Sequence, residues 1–132
     1  MPSGLKTAEA ARLINASMRG TGYVAPTGAS KVELTTTAPS ATANGTPVSG
    51  GSYADQAYPT SGDTATASIA NSSAISFGPM PAVTVVGANT KDSNASPRYS
   101  WWGTLGTSIT TLSGDLITFA AGALTFSLNN TP

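Results

Sequence analysis

The sequence of 132 residues contains neither cysteine nor histidine. Without cysteine there are no disulfides and no thiolate chemistry, and without histidine a Ser-His-Asp catalytic triad is excluded. Most zinc and copper sites depend on these two residue types, so they are excluded for the same reason. We therefore expect no cofactor and no catalytic residues in this chain, which is predicted not to be an enzyme.

Charged residues are also scarce. They make up 9% of the chain, whereas an average globular protein has about 25%. Six basic residues balance six acidic ones, and no basic stripe is present to hold a phosphate backbone, so no nucleic-acid partner is expected. A neutral surface gives little repulsion between copies, which favours self-association. We expect a homo-oligomer.

Long apolar runs are absent as well. No run approaches the roughly 20 residues that a membrane-spanning helix needs, so we expect no membrane partner. The first 19 residues are interrupted by charged side chains at Lys6, Glu9, Arg12 and Arg19. They do not resemble the apolar core of a secretory signal, and we expect synthesis in the cytoplasm.

One amphipathic helix is predicted over residues 5–19. Its apolar residues recur at the spacing of one helical face and are Ala10, Leu13, Ile14 and Met18. Ser3 or Thr7 is suited to cap its start, and Gly20 to end it. A short helix is marginal alone, so we expect it to pack on the domain or on a neighbouring subunit. Leu13 and Ile14 are therefore candidate contact residues.

Short strand patterns separated by Gly, Pro and Asn turns follow from residue 21 onward. Strands are predicted over residues 31–37, 52–58, 64–69, 74–77, 82–86, 98–105, 108–112, 116–119 and 123–128. Residues 38–51 are predicted to form a long surface loop that reaches a neighbour. The pattern indicates a mainly all-β fold, a single β-sandwich or jelly-roll-like domain over residues 21–132, preceded by a helical arm over residues 1–20.

The acidic residues lie mostly in turn-like surroundings. Asp63 and Asp115 each end a Ser-Gly-Asp sequence that is typical of a tight turn. Residues 89–97 are predicted to be a polar loop with oxygen ligands at alternating positions. This loop lacks the glycine and the final glutamate of an EF-hand, and ion binding there stays open.

The aromatic residues are the remaining candidates for a functional surface. Trp101 and Trp102 are adjacent, so in a strand their side chains face opposite sides of the sheet. One then belongs to the core and the other covers a subunit contact, or else stacks on a carbohydrate. Tyr53 and Tyr58 join them as candidate subunit or capsid contacts.

Several motifs occur in an order that resembles a family of small phage virion proteins described as tail fibre-like. The motifs are residues 36–39 (TTAP), 47–57 (PVSGGSYADQA), 71–77 (NSSAISF), 102–105 (WGTL), 113–115 (SGD) and 119–124 (FAAGAL). The resemblance covers most of the chain from Lys31 onward. Residues 79–100 match the family pattern poorly, and Asp55 stands where the family usually has a basic residue.

The resemblance implies a component of the virion. A compact domain without a shaft, repeat or coiled coil favours a capsid decoration protein, which would bind the major capsid protein between capsomers, usually as a trimer, and stabilise the head. The alternative is a tail-fibre or tail-tip protein that attaches to a host-surface glycan. A glycan depolymerase using paired Asp residues is the third and least favoured hypothesis.

Overall fold

The computed structural model describes residues 3–60 and 68–128. These residues form mostly antiparallel β-structure with one short helix near the N-terminus, and the all-β prediction is confirmed. In chain order the elements are β1 Ser3–Leu5, α1 Thr7–Arg19, β2 Lys31–Thr35, β3 Gln56–Ala57, β4 Ser68–Ala70, β5 Ile75–Phe77, β6 Thr84–Lys91, β7 Tyr99–Thr110, β8 Ile117–Phe119 and β9 Thr125–Ser127.

The main layer is a five-stranded sheet in the order β1-β7-β6-β2-β3. Two small antiparallel ribbons, β4-β9 and β5-β8, accompany this sheet. Every pairing is antiparallel, and β6 and β7 form the long central pair with two register irregularities. Because β1 pairs with β7, residues 3–5 form one edge of the sheet.

The apolar core joins the sheet to the β5-β8 ribbon. Val32 and Leu34 of β2 are fully buried and form one cluster with Phe77 of β5 and Ile117 of β8. The alternation of these valine and leucine side chains with polar neighbours correctly predicted β2. Complete burial of each such side chain contributes about 1.5–3 kcal/mol.

The opposite face of β2 carries polar side chains that are also buried. Glu33 and Thr35 are 3% and 0% exposed, and Asn89 of β6, which lies opposite Glu33, is 0% exposed. Residues 89–91 are the end of β6 and pair with β2, so the prediction of a loop from residue 89 is wrong for these three residues. Polar composition was misleading there because the segment lies between two strands and hydrogen-bonds to them.

The helix differs from its prediction at its first turn. It begins at Thr7, while Leu5 is part of β1. Its N-cap is Lys6, and the cap makes no side-chain hydrogen bond, so neither Ser3 nor Thr7 has that role. Gly20 ends the helix in a left-handed conformation, as predicted.

Two predictions lie wholly or partly outside the described residues. The turn at Asp63 is outside them, as is most of the strand predicted over residues 64–69. The part of the chain that the structure describes contains no helix long and apolar enough to cross a membrane.

Candidate functional site

The helix α1 is held to the sheet by an ion pair. Glu9 is the only buried residue of α1, at 2% exposure. The Arg98 guanidinium donates from Nε to Glu9 Oε2 (2.8 Å) and from Nη2 to Glu9 Oε1 (2.7 Å). Arg12 Nη1 donates to the same carboxylate at 3.1 Å, and the Tyr23 hydroxyl donates to Oε1. A bidentate pair of this kind fixes orientation as well as position.

These donors determine the protonation of Glu9. Burial alone raises the pKa of a carboxyl group, but the hydrogen bonds from Arg98, Tyr23 and Arg12 outweigh it and hold the pKa of Glu9 below its usual value. Conversely, burial and the contact with Glu9 raise the pKa of the Tyr23 hydroxyl. The anchor is therefore ionic at neutral pH.

Two large apolar side chains of α1, Ile14 and Met18, face away from this polar anchor. At about 100° per residue, Ile14 and Met18 lie roughly 140° and 180° around the helix from Glu9. They are 59% and 79% exposed. Leu13 lies only about 40° from Glu9 and is half-buried. Ile14 and Met18 together are called here the helix surface.

A second charged cluster lies on the polar face of the sheet. Lys91 Nζ is 2.7 Å from Glu33 Oε2 and 2.6 Å from Asp55 Oδ2. The Tyr99 hydroxyl donates to Glu33, and the Tyr53 hydroxyl donates to Asp55 at 2.9 Å. Burial lowers the pKa of an ammonium group, but hydrogen bonds to Asp55 and Glu33 outweigh it and raise the pKa of Lys91. Asp55 is thus a partner of Lys91.

The loop after β2 is fastened to the same region. Lys6 Nζ donates to the carbonyls of Ser40 (2.8 Å) and Ala43 (2.7 Å), and Asn89 Nδ2 donates to the carbonyl of Asn44 (2.8 Å). Burial lowers the pKa of Lys6, an effect that Glu33 partly offsets. Residues 38–47 therefore lie back against the sheet and the start of α1.

The remaining described aspartates hold turns. The Asp92 carboxylate accepts hydrogen bonds from the backbone N–H groups of Thr27, Asn94 and Arg98. Asp115 accepts one from the backbone N–H of Leu112 at 2.8 Å, as its turn sequence predicted. Among the described residues, no three acidic side chains are grouped in a way that would hold a metal ion.

Both tyrosines proposed as contacts lie largely inside the domain. Tyr58 is 8% exposed, and its hydroxyl donates to the carbonyl of Leu124 at 2.6 Å. Burial raises the pKa of Tyr58 to about 12. Tyr53 is half-buried, stacks on Phe77 with ring centroids 6.1 Å apart, and accepts a hydrogen bond from the Leu34 N–H.

The two tryptophans of β7 take different surroundings. Trp101 lies opposite Thr90 of β6, and its ring centroid is 5.7 Å from that of Phe126. Trp102 lies opposite Asn89, and its indole nitrogen is buried without a hydrogen-bond partner among the described residues. Both side chains are half-buried, and adjacent strand residues face opposite sides of the sheet.

Sequence reasoning missed the anchor between Glu9 and Arg98. These residues are 89 positions apart; Glu9 was predicted only as a charge on the polar side of the helix, and Arg98 only as the first residue of a strand. The one signal in the sequence was the scarcity of charged residues. Where charges are so few, each of them is more often part of a specific contact. The exposed Leu112 and Leu116 of the turn between β7 and β8 were also not singled out as contacts.

One family model matches the chain, and it covers residues 4–127. Its description is Podophage GP4 fiber I protein gp80. No curated protein matches. The match begins within β1 and includes α1 and the described strands through β9, so it spans the anchor, the helix surface and the core together. The chain therefore belongs to the podophage GP4 fiber I protein gp80 family, and it is a phage virion protein of the fibre type.

Proposed function

We propose that this chain is a non-enzymatic structural subunit on the outside of the phage particle, which docks on a neighbouring virion protein through the helix surface. The observation that carries the proposal is the pairing of a buried ionic anchor with exposed apolar side chains on the opposite side of α1. An anchor of this kind fixes the helix in one orientation, and apolar residues held outward are typical of an interaction site.

The roles of the charged residues support a structural function. Glu33 and Asp55 share Lys91, and Asp92 and Asp115 accept hydrogen bonds from turn backbone. A hydrolase would need two carboxyl groups in different environments facing one cleft. These carboxylates instead stabilise the fold, and that use favours a building block over a catalyst.

For the location on the particle, the first candidate is the capsid surface, where the chain would act as a decoration protein on the major capsid protein. The compact domain supports this, because its long loop folds back and its N-terminal strand is part of the sheet. Such a shape suits a unit that sits on a shell. A homotrimer is the expected assembly, with the helix surface covered by neighbouring protein.

The second candidate is a tail fibre or tail tip. The description of the family names a fibre, and that word favours this location. Immunogold labelling of intact particles with an antibody against the folded chain separates the two candidates. Label over the whole head supports decoration, label confined to the tail supports the fibre, and particles without label would overturn the proposed function.

A further inference from the structure

A cavity of about 220 Å³, called here the apolar cavity, lies between residues 123–126 and strands β6 and β7. Ser3 and Ala123 line it at exposed positions, so the cavity is open to solvent. Phe126 also lines a neighbouring cavity that includes Tyr58 and Trp101. Among the described residues that line the apolar cavity, none is charged. Its apolar lining is half-buried against the core and consists of Ala88, Leu105, Leu124 and Phe126.

The apolar cavity has room for one apolar side chain from a partner. A cavity of about 150 Å³ is large enough to hold benzene, and a methionine side chain has fewer heavy atoms than benzene. An inserted side chain would gain van der Waals contacts with Leu105, Leu124 and Phe126. It would also leave water without desolvating any charged group among the described lining residues, so the insertion is favourable.

The helix surface offers a side chain of this kind. Met18 is 79% exposed, which is the largest exposure of any large hydrophobic residue in the described part of the chain. Ile14, one helical turn earlier on the same side, is 59% exposed. A methionine side chain is unbranched and flexible, and it adapts to irregular apolar gaps. Met18 is therefore the best candidate to enter the apolar cavity.

The apolar cavity and the start of α1 lie on opposite sides of the main sheet. Ala88 precedes Asn89 in β6, and adjacent strand residues face opposite sides of a sheet. Asn89 Nδ2 donates to the carbonyl of Asn44, and Lys6 Nζ at the start of α1 donates to the carbonyl of Ser40 in the same loop. The first turn of α1 is thus on the Asn89 side, while the cavity is on the Ala88 side. A contact between Met18 and the cavity therefore joins two copies of the chain.

We infer that Met18 of one copy inserts into the apolar cavity of a second copy, with Ile14 packed against the rim at Ala123. The inference rests on the proposed function, because it identifies the neighbouring virion protein as another copy of this chain. A net charge of zero gives little repulsion between such copies. The helix surface and the cavity are different surfaces, so the contact is heterologous. Each copy carries one of each, and repetition of the contact closes a ring such as a trimer.

The experiment compares self-association of the full-length chain with that of three lysine variants. Met18→Lys changes the helix surface, Ala123→Lys changes the rim of the cavity, and Ala121→Lys makes the same change at an exposed neighbour that does not line it. Sedimentation from about 1 μM to about 1 mM protein measures the dissociation constant. We expect Met18→Lys and Ala123→Lys each to raise it by about tenfold or more, and Ala121→Lys to leave it unchanged. Circular dichroism confirms that each variant is folded.

A mixture of the two disrupted variants tests the pairing itself. Met18→Lys keeps an intact cavity and Ala123→Lys keeps an intact helix surface, so the mixture should form one-to-one dimers and nothing larger. Native mass spectrometry with one variant isotopically labelled identifies such dimers, and their absence would overturn the inference.

Two further outcomes separate this inference from the proposed function. If Met18→Lys loses association while Ala123→Lys keeps it, the inference is overturned, although the helix surface still docks elsewhere. If the unaltered chain stays monomeric throughout, the inference is also overturned. The proposed function is then tested on its own by counting copies of the Met18→Lys variant on purified particles.

Discussion

The Arg98 guanidinium holds the Glu9 carboxylate with two hydrogen bonds, from Nε at 2.8 Å and from Nη2 at 2.7 Å. This contact joins the first turn of α1 to the start of β7, and it replaces the apolar packing by which most amphipathic helices dock. Consequently the helix is fixed while Ile14 and Met18 remain at the surface. The ion pair between Glu9 and Arg98 therefore accounts both for the position of the helix and for the exposure of its apolar side chains.

The first prediction concerns the anchor itself. Glu9→Gln leaves the Arg98 guanidinium without its carboxylate partner in a site where Glu9 is 2% exposed, and we expect a loss of about 2–4 kcal/mol in the free energy of unfolding. Arg12→Gln is the matched control, because the Arg12 side chain is 44% exposed and its pair should contribute less than about 1 kcal/mol. Urea unfolding measures both, and equal losses would contradict the assigned role of the anchor.

The second prediction is a dependence of stability on pH. The pKa of Glu9 in the folded protein lies below its usual value of 4.5, because its hydrogen bonds to Arg98, Tyr23 and Arg12 outweigh burial. Its stabilising contribution is therefore complete above the unfolded-state pKa and is lost as the pH falls through the lowered pKa of the folded state. The pKa of Asp92 is lowered as well, mainly by the hydrogen bond that its carboxylate accepts from the Arg98 backbone N–H. Protonation of Asp92 at low pH therefore also reduces the stability of the fold.

We accordingly expect the free energy of unfolding to fall as the pH is lowered from about 5 towards 3. Glu9→Gln should make that decline shallower. An unchanged slope in the variant would show that other carboxyl groups, and not Glu9, produce the pH dependence.

The third prediction tests the packing of the central strands. A Cβ added at Gly87 of β6 would lie 2.5 Å from Pro39 Cδ and 2.8 Å from the carbonyl oxygen of Gly103, whereas a Cβ at Gly106 would meet nothing within 4 Å. Gly87→Ala should therefore cost about 1–3 kcal/mol. Gly106→Ala should be neutral or slightly stabilising. Equal melting temperatures for the two variants would contradict the close approach of Pro39 to the sheet.

The β-class of the fold was predictable because apolar and polar residues alternate along a strand that has one side against the core. Val32 and Leu34 alternate with Glu33 and Thr35, and Phe126 alternates with Thr125 and Ser127, so β2 and β9 were found. The same rule failed for residues 89–91, where the buried Asn89 amide donates to Glu33 and to the carbonyl of Asn44, and Lys91 Nζ donates to Glu33. Composition alone cannot reveal partners that are far away in the sequence.

The candidate site was predictable only in part. Helical spacing identified Ile14 and Met18 as part of an apolar face. It did not show whether that face packs on the domain itself or on a neighbouring subunit. Which of the two applies depends on Glu9 and Arg98, whose pairing requires the completed sheet. Likewise, Tyr58 and Trp101 were singled out separately, and only the position of Phe126 between them brings both to one cavity.

The fourth prediction concerns self-association. If neighbouring copies cover the helix surface, diluting the protein tenfold should lower its melting temperature by a few degrees, because assembly stabilises the folded state by mass action. Ile14→Lys should remove this concentration dependence without reducing the stability of the dilute protein, since Ile14 is 59% exposed. Leu112→Lys, at a 71% exposed apolar residue in the turn between β7 and β8, is the control. A melting temperature independent of concentration in the unaltered chain would indicate a monomer.

The central claim is that the helix surface attaches this subunit to the phage particle. Its most direct test is to produce particles with either the unaltered chain or the Ile14→Lys, Met18→Lys double variant, and to measure the copies of the chain in each purified particle. Both residues are exposed, so the variant should fold with an unchanged circular dichroism spectrum and melting curve at low concentration. We predict that the unaltered chain is present on the particles and that the variant is reduced at least tenfold. Equal numbers of copies of the folded variant and the unaltered chain would contradict the account.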